Sequence, residues 1–94
     1  MTTSSTWRRA ASVSSRVIDG RAVLVIHDRG TLHSLNAAGT ALWEALPEHG
    51  AAFTTLRDVL ARRYELSEEI AGQDALRFLR TLQEVGAVVE GDQP

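Results

Sequence analysis

The sequence lacks the residues and segments on which several classes of protein depend. It contains no cysteine, which excludes disulfides, thiolate nucleophiles and zinc–thiolate sites and is typical of a reducing compartment. Its longest apolar run, Ala22–Ile26, is far shorter than the roughly 20 residues of a membrane span. The polar N-terminus before Trp7 also lacks the apolar core of a secretory signal. We therefore expect a cytoplasmic protein with no membrane partner.

A large excess of charge of one sign is also missing. The chain of 94 residues carries a formal net charge of −2 at pH 7. This balance gives no general attraction to nucleic acid or to an anionic membrane. The length and the 44% hydrophobic content predict one globular domain with a single core.

Recognisable catalytic and metal-binding patterns are absent as well. His27, His33 and His49 have none of the paired spacing of metal ligands. The glycines Gly30 and Gly39 are isolated, so no phosphate-binding loop is formed, and no nucleophile signature occurs. We expect a protein that is not an enzyme and that needs no metal or cofactor of its own.

Strand patterns fill the first part of the chain. Val17–Ile18 precede Asp19–Gly20, a pair that favours a two-residue hairpin turn. The β-rich run Arg21–His27 comes next, and Asp28–Gly30 supplies a second turn before Thr31–Leu35. These signals predict a three-stranded antiparallel meander, which needs a helical layer on one face for stability.

Helical patterns fill the rest of the chain. Asn36 is the predicted N-cap of a first helix that ends before Pro47. A second helix is predicted over Thr55–Tyr64, and a third, capped by Ser67, reaches about Val85. The apolar stripe of the third helix comprises Ala71, Ala75, Phe78, Leu79, Leu82 and Val85. The order β-β-β-α-α-α predicts an α+β domain of winged helix-turn-helix type.

The same patterns predict the domain boundaries. Residues 1–12, which include Trp7-Arg8-Arg9, are predicted to be a flexible arm, residues 13–90 a single domain, and residues 91–94 a disordered tail. Gly39 lies inside the first predicted helix, where glycine costs about 1 kcal/mol relative to alanine. A close contact between this helix and the sheet would account for that glycine.

Several short motifs together resemble a known family. They occur in the family's order and with compatible spacing: Asp19-Gly20, Ala22-Val23-Leu24, Leu35-Asn36, Gly39, Leu42-Trp43, Tyr64, Asp74, Phe78-Leu79, Leu82 and Gly86. The stretch from Arg21 to Val88 thereby resembles the PqqD-like family of peptide chaperones, also called RiPP recognition elements. The chain departs from the family in the third strand, where Thr31–Ser34 replaces the usual bulky aromatic residues.

The resemblance implies a function in peptide modification. Such proteins bind the leader segment of a ribosomally synthesised precursor peptide as an added antiparallel strand. They present the precursor to a separate maturation enzyme such as a radical-SAM enzyme, a leader peptidase or a cyclase. The products of such pathways include a PQQ-like cofactor, lasso peptides and other modified peptides. The open strand edge that this binding mode needs also permits a homodimer.

The resemblance and the helical spacing together predict the binding groove. The third strand ends the meander and would present unpaired N–H and C=O groups. The predicted peptide-binding residues are Thr31, Leu32, His33, Ser34, Leu35, Ile70, Asp74, Arg77, Phe78 and Thr81. Leu32 or His33 is expected to form an apolar pocket with Phe78, and Arg77 or Asp74 to fix the register of the peptide.

Each of these residues also has a structural interpretation. Phe78 fits a core position, Asp74 fits a local ion pair with Arg77 or Arg80, and Trp43 fits a packing role. Two other functions remain open. One is a winged-helix DNA-binding regulator that uses the basic cluster Arg57, Arg62 and Arg63. The other is a structural docking subunit of an enzyme complex.

Overall fold

The computed structural model describes residues 6–91, which form two antiparallel sheets and three helices. In chain order the elements are β1 (Thr6–Arg9), β2 (Val13–Ile18), β3 (Arg21–Ile26), β4 (Thr31–Ser34), α1 (Ala37–Glu44), β5 (Ala51–Ala52), α2 (Phe53–Tyr64), α3 (Glu68–Glu84) and β6 (Val88–Glu90). The α+β class is confirmed. Residues 1–5 of the predicted arm and 92–94 of the predicted tail lie outside the described residues.

Strands β2, β3 and β4 form the predicted meander, with β3 in the centre. The first hairpin turns at Asp19 and Gly20, whose φ angles of 53° and 77° are typical of a type I′ turn. Every second residue of β3 is buried on one face of the sheet: Ala22, Leu24 and Ile26. That face contacts α1 and joins the hydrophobic core.

The helices begin at capping residues that the sequence predicts. Asn36 accepts a hydrogen bond from the backbone N–H of Gly39 at 2.8 Å, and Ser67 accepts one from Ile70 at 3.2 Å. Helix α2 begins at Phe53, before its predicted start. The helix ends at Tyr64 as predicted, and this residue is 40% exposed. No helix of the described residues is long and apolar enough to cross a membrane.

The predicted flexible arm is wrong for Thr6–Arg9, which form strand β1 at the centre of a second sheet. Trp7 is completely buried in the core, and its backbone pairs with Ala51 of β5 and Glu90 of β6. Gly91 continues this pairing through its N–H, which donates to the carbonyl of Thr6 at 2.7 Å. These strands have at most four residues and come from distant parts of the chain. The sequence therefore has no alternating pattern that predicts them.

Gly39 makes a close contact with a helix, not with the sheet as predicted. A Cβ placed on Gly39 would lie 2.8 Å from Cε1 of Phe78 in α3. The ring of Phe78 therefore packs directly against the backbone of α1. This contact sets how closely α1 and α3 approach each other.

We expect Trp7→Ala to lower the free energy of unfolding by about 3–5 kcal/mol, because it removes a fully buried aromatic side chain. Denaturant unfolding followed by circular dichroism measures the change. Val17→Ala is the control, since Val17 is 48% exposed and should change stability by no more than about 0.5 kcal/mol. Equal stability of the two variants would mean that residues 6–9 do not form a buried strand.

Two glycine substitutions should have opposite signs. Gly39→Ala gains about 1 kcal/mol of helix propensity but forces a clash with Phe78 that costs about 1–3 kcal/mol, so it should destabilise the protein. Gly72→Ala places its Cβ no closer than 3.7 Å to another residue and should stabilise α3 by up to about 1 kcal/mol. Thermal unfolding tests both. Adding Phe78→Leu to Gly39→Ala should recover part of the loss, and the absence of any recovery would contradict the contact.

Candidate functional site

Strand β4 has one unpaired row of backbone groups. The N–H of Leu35 donates to the carbonyl of Ala22 at 2.8 Å, which makes these two residues a hydrogen-bonded pair. Because hydrogen-bonded and non-hydrogen-bonded pairs alternate in antiparallel sheets, the backbone of His33 also faces β3. The N–H and C=O groups of Leu32 and Ser34 point the other way. Among residues 6–91, β3 is the only strand that pairs with β4.

The side chains of β4 alternate between the two faces of the sheet. Paired residues share a face, so His33 lies on the same face as the buried Leu24. Thr31 lies on that face too, and its Oγ1 is 3.1 Å from Nε2 of His33. Leu32 lies on the opposite face and is 67% exposed. Of the two residues predicted to line an apolar pocket, only His33 faces the helices.

Two contacts place the second half of α3 beside β4. At one end, the Arg29 side chain in the β3–β4 turn donates to the carbonyl of Glu84 at 2.6 Å. At the other end, the contact between Gly39 and Phe78 lies just beyond the C-terminus of β4. These contacts bring the end of α3 to the start of β4 and Phe78 to the segment after β4, so that strand and helix run in opposite directions.

The predicted residues of α3 lie at different positions along the predicted groove. Asp74 and Phe78 lie next to the buried stripe and are half-buried, whereas Ile70, Arg77 and Thr81 are exposed. Phe78 and Thr81 are level with β4. Ile70 is eight residues before Phe78, about 12 Å along the helix axis, and is thus beyond the end of the strand. A peptide would reach it only by continuing past Leu35.

The charged residues of α3 face two different surfaces. Arg77 pairs with Asp74 at 3.1 Å, one of the two local ion pairs that the sequence allows. This pair is largely exposed, since 71% of the Arg77 side chain is accessible, so it contributes little to stability. Arg80 instead contacts Glu90 at 2.9 Å and lies over the ring of Trp7. Arg77 is therefore the arginine of α3 that can contact a ligand in the groove.

Sequence reasoning missed Arg29, which ties the turn before β4 to the end of α3. A single arginine in a polar turn carries no pattern that marks it. The contact between Phe78 and α1 is only partly predictable from the sequence. Gly39 inside a helix indicates a close contact, but it does not identify Phe78 as the partner. The histidines are apart from one another: His27 contacts Ser14 at 2.7 Å, and His33 contacts Thr31.

Solved structures with this fold include proteins bound to leader peptides. TbiB1, in complex with the TbiA(beta) leader peptide, is 27% identical, with a TM-score of 0.76 over 85% of this chain and 93% of TbiB1. Lasso peptide synthetase B1, complexed with its leader peptide, is 18% identical, with a TM-score of 0.72 over 88% of this chain and 96% of that chain.

A third structure is the PqqD part of PqqCD from Methylobacterium extorquens, described as a stand-alone RiPP recognition element. It is 16% identical, with a TM-score of 0.71 over 89% of this chain and 88% of that chain. No curated protein sequence matches this chain. The family profile for coenzyme PQQ synthesis protein D matches residues 21–88, from the start of β3 to the start of β6. The chain therefore belongs to the PqqD family.

Proposed function

We propose that this protein binds the leader segment of a ribosomally synthesised precursor peptide and presents the precursor to a separate modifying enzyme. The leader adds as a strand to the open edge of β4, in the groove beside α3. The unpaired backbone row of Leu32 and Ser34 carries this proposal, because it offers a ready template for an extended chain. Support comes from TbiB1, which has the same fold and was solved with a leader peptide.

Backbone pairing alone is too weak to account for useful affinity. Leu32 and Ser34 offer two donors and two acceptors, and each hydrogen bond contributes about 0.5–1.5 kcal/mol net. A micromolar complex requires about 8 kcal/mol beyond the cost of association. Side chains of the leader must therefore supply most of the free energy.

The groove has suitable anchors for those side chains. His33 faces α3 from the strand, and Phe78 and Thr81 lie opposite on the helix. An apolar leader residue packed between His33 and Phe78 would bury surface at about 25 cal/mol per Å². Arg77 and Asp74, paired with each other in the free protein, can each contact a charged leader residue and so fix its register.

The partner enzyme completes the proposed function. A radical-SAM enzyme, a leader peptidase or a cyclase would each act on a precursor held in this way in the cytoplasm. The protein itself binds without catalysing. Its effect on the reaction is to raise the local concentration of precursor at the enzyme, which linked binding sites achieve without any new contact to the reacting atoms.

DNA binding has less support, although the domain order suits it. Three arginines of α2 and α3 are paired with carboxylates: Arg57 with Asp58, Arg77 with Asp74 and Arg80 with Glu90. A recognition helix needs several arginines or lysines free to neutralise phosphates. The first turn of α3 carries Glu68 and Glu69, which would repel them.

Ser34→Pro should abolish leader binding while Ser34→Ala preserves it. Proline removes the outward N–H that an added strand needs, whereas alanine keeps it, and an edge strand tolerates proline where the N–H faces solvent. Titration of each ¹⁵N-labelled variant with a synthetic leader peptide chosen from candidate precursor genes near this one, followed by NMR, measures binding. In the wild-type protein the amides of Leu32 and Ser34 should shift most. Equal affinity of the two variants would remove the β4 edge from the proposal.

Two substitutions in α3 test the anchors. Phe78→Ala should weaken leader binding by about tenfold or more, since it removes the apolar wall of the groove. Arg77→Gln should weaken it less and should make binding less sensitive to salt, because it removes an exposed charge. Arg80→Gln is the control, since Arg80 faces the second sheet. Isothermal titration calorimetry at two salt concentrations measures all three, and unchanged affinity in both test variants would exclude this groove.

A further inference from the structure

Strand β2 also has an open edge, on the opposite side of the same sheet. The N–H of His27 donates to the carbonyl of Ser12 at 2.9 Å, and the type I′ turn pairs Ile18 with Arg21. Alternation then directs the backbone of Ser14 and Arg16 toward β3. The backbone groups of Ser15 point away from the sheet, toward an edge where no other strand of residues 6–91 pairs.

A cleft of about 610 Å³ lies along this second edge. One side is β2, and the other is formed by β1, α1 and the loop after α1. The lining residues are Arg8, Arg9, Ala10, Ala11, Val13, Ser14, Ser15, Trp43 and Glu48. They include Arg9, which forms no salt bridge within residues 6–91. It shares no residue with the proposed leader groove.

The guanidinium of Arg9 is held rigidly in this cleft with most of its hydrogen-bonding capacity unused. It lies over the ring of Trp43 at 4.3 Å and donates to the Trp43 carbonyl at 2.8 Å. A guanidinium has five N–H donors, and this is the one hydrogen bond of the Arg9 side chain within residues 6–91. Burial lowers the pKa of Arg9, opposed by Glu48 and Glu44, yet arginine remains charged.

Two buried donors at the cleft have no acceptor in the described part of the chain. They are Nε of Arg9 and Nε1 of Trp43, a residue that is only 2% exposed. Both atoms are inaccessible to solvent, so the donor that a ligand in the cleft can reach is Nη1 of Arg9, which is accessible and makes no hydrogen bond within residues 6–91. Fixed cationic donors beside an open strand edge are suited to an extended chain that carries a carboxylate.

From the open β2 edge, the adjoining cleft and the fixed Arg9 guanidinium, we infer that this site binds an extended, carboxylate-bearing segment of the modifying enzyme. This inference rests on the function proposed above. In a three-stranded sheet the two outer strands are about 10 Å apart, and strands added to both edges would be about 19 Å apart. Leader and enzyme segment can therefore bind at the same time.

A second copy of the chain fits this edge less well than an acidic segment. Pairing of two β2 strands about a twofold axis would bring Arg9 and Arg16 of each copy close to the same residues of the other. Like charges facing each other across a new strand pair are destabilising. An acidic segment instead places a carboxylate beside Arg9, which forms no salt bridge within residues 6–91.

The test uses a purified modifying enzyme, chosen from candidate genes near this one, and, separately, the leader peptide that the enzyme modifies. Arg9→Gln should weaken enzyme binding by about tenfold or more, because it removes a charge-assisted hydrogen bond. Arg62→Gln removes the same charge from an exposed site on α2 and should change binding by less than about twofold. Biolayer interferometry measures enzyme affinity, and thermal unfolding confirms that each variant is folded.

Proline substitutions at the two edges should separate the two partners. Ser15→Pro removes an outward N–H from β2 and should weaken enzyme binding while leader affinity is kept, whereas Ser34→Pro should do the reverse. If Ser15→Pro does not fold, the enzyme affinities of Arg9→Gln and of its control Arg62→Gln test the inference instead.

Wild-type enzyme affinity in Arg9→Gln, or loss of enzyme binding in Ser34→Pro, would overturn the inference. So would a wild-type dimer in analytical ultracentrifugation that Arg9→Gln or Ser15→Pro dissociates. A protein that binds the enzyme through Arg9 but binds no leader would contradict the proposed function and leave this docking site in place.

Discussion

Among residues 6–91, strand β3 pairs along both of its sides, whereas β2 and β4 each pair along one. This follows from the size of the sheet, since three antiparallel strands always leave two rows of backbone groups without partners. One face of the sheet is filled by the core residues Ala22, Leu24 and Ile26. In this sheet, pairing with another chain through the backbone can therefore occur at the β2 edge and at the β4 edge. The chemistry of each edge depends on what the rest of the chain places beside it.

In the proposed leader site, helix α3 supplies the side chains beside the β4 edge, and two contacts link that helix to its neighbours. The Arg29 hydrogen bond to Glu84 fixes one end, and the Phe78 ring against Gly39 fixes the other. A bulkier residue than glycine at position 39 would push Phe78 away and change the width of the groove. The same phenylalanine thus supports the packing of α1 and α3 and forms a wall of the proposed binding site. The structural and functional interpretations of Phe78 are compatible.

The sequence predicts local structure well here and distant pairing poorly. Asp19-Gly20, Asn36 and Ser67 act within a few residues of their own positions, and the meander and helix starts that they predict are confirmed. Strand β1 depends on β5 and β6, which are far away in sequence and too short to show a pattern, so Trp7 was interpreted as part of a flexible arm. For the site, helical spacing predicts the shared flank of α3. Helical spacing alone cannot show that the contacts of Arg29 and Gly39 determine which part of that flank lies beside β4.

The second sheet has a consequence for function that the family resemblance does not contain. By pairing with β5 and β6, β1 holds Arg9 over Trp43 and forms the wall opposite the β2 edge. If residues 6–9 were a flexible arm, that edge would face solvent and Arg9 would be an ordinary hydrated cation. The buried Trp7 therefore does more than stabilise the core. It anchors β1, and β1 places Arg9 beside the β2 edge to form the cleft. The two proposed functions need two separate binding surfaces, and a three-stranded sheet flanked by α3 on one side and by β1 on the other offers two different edges for them.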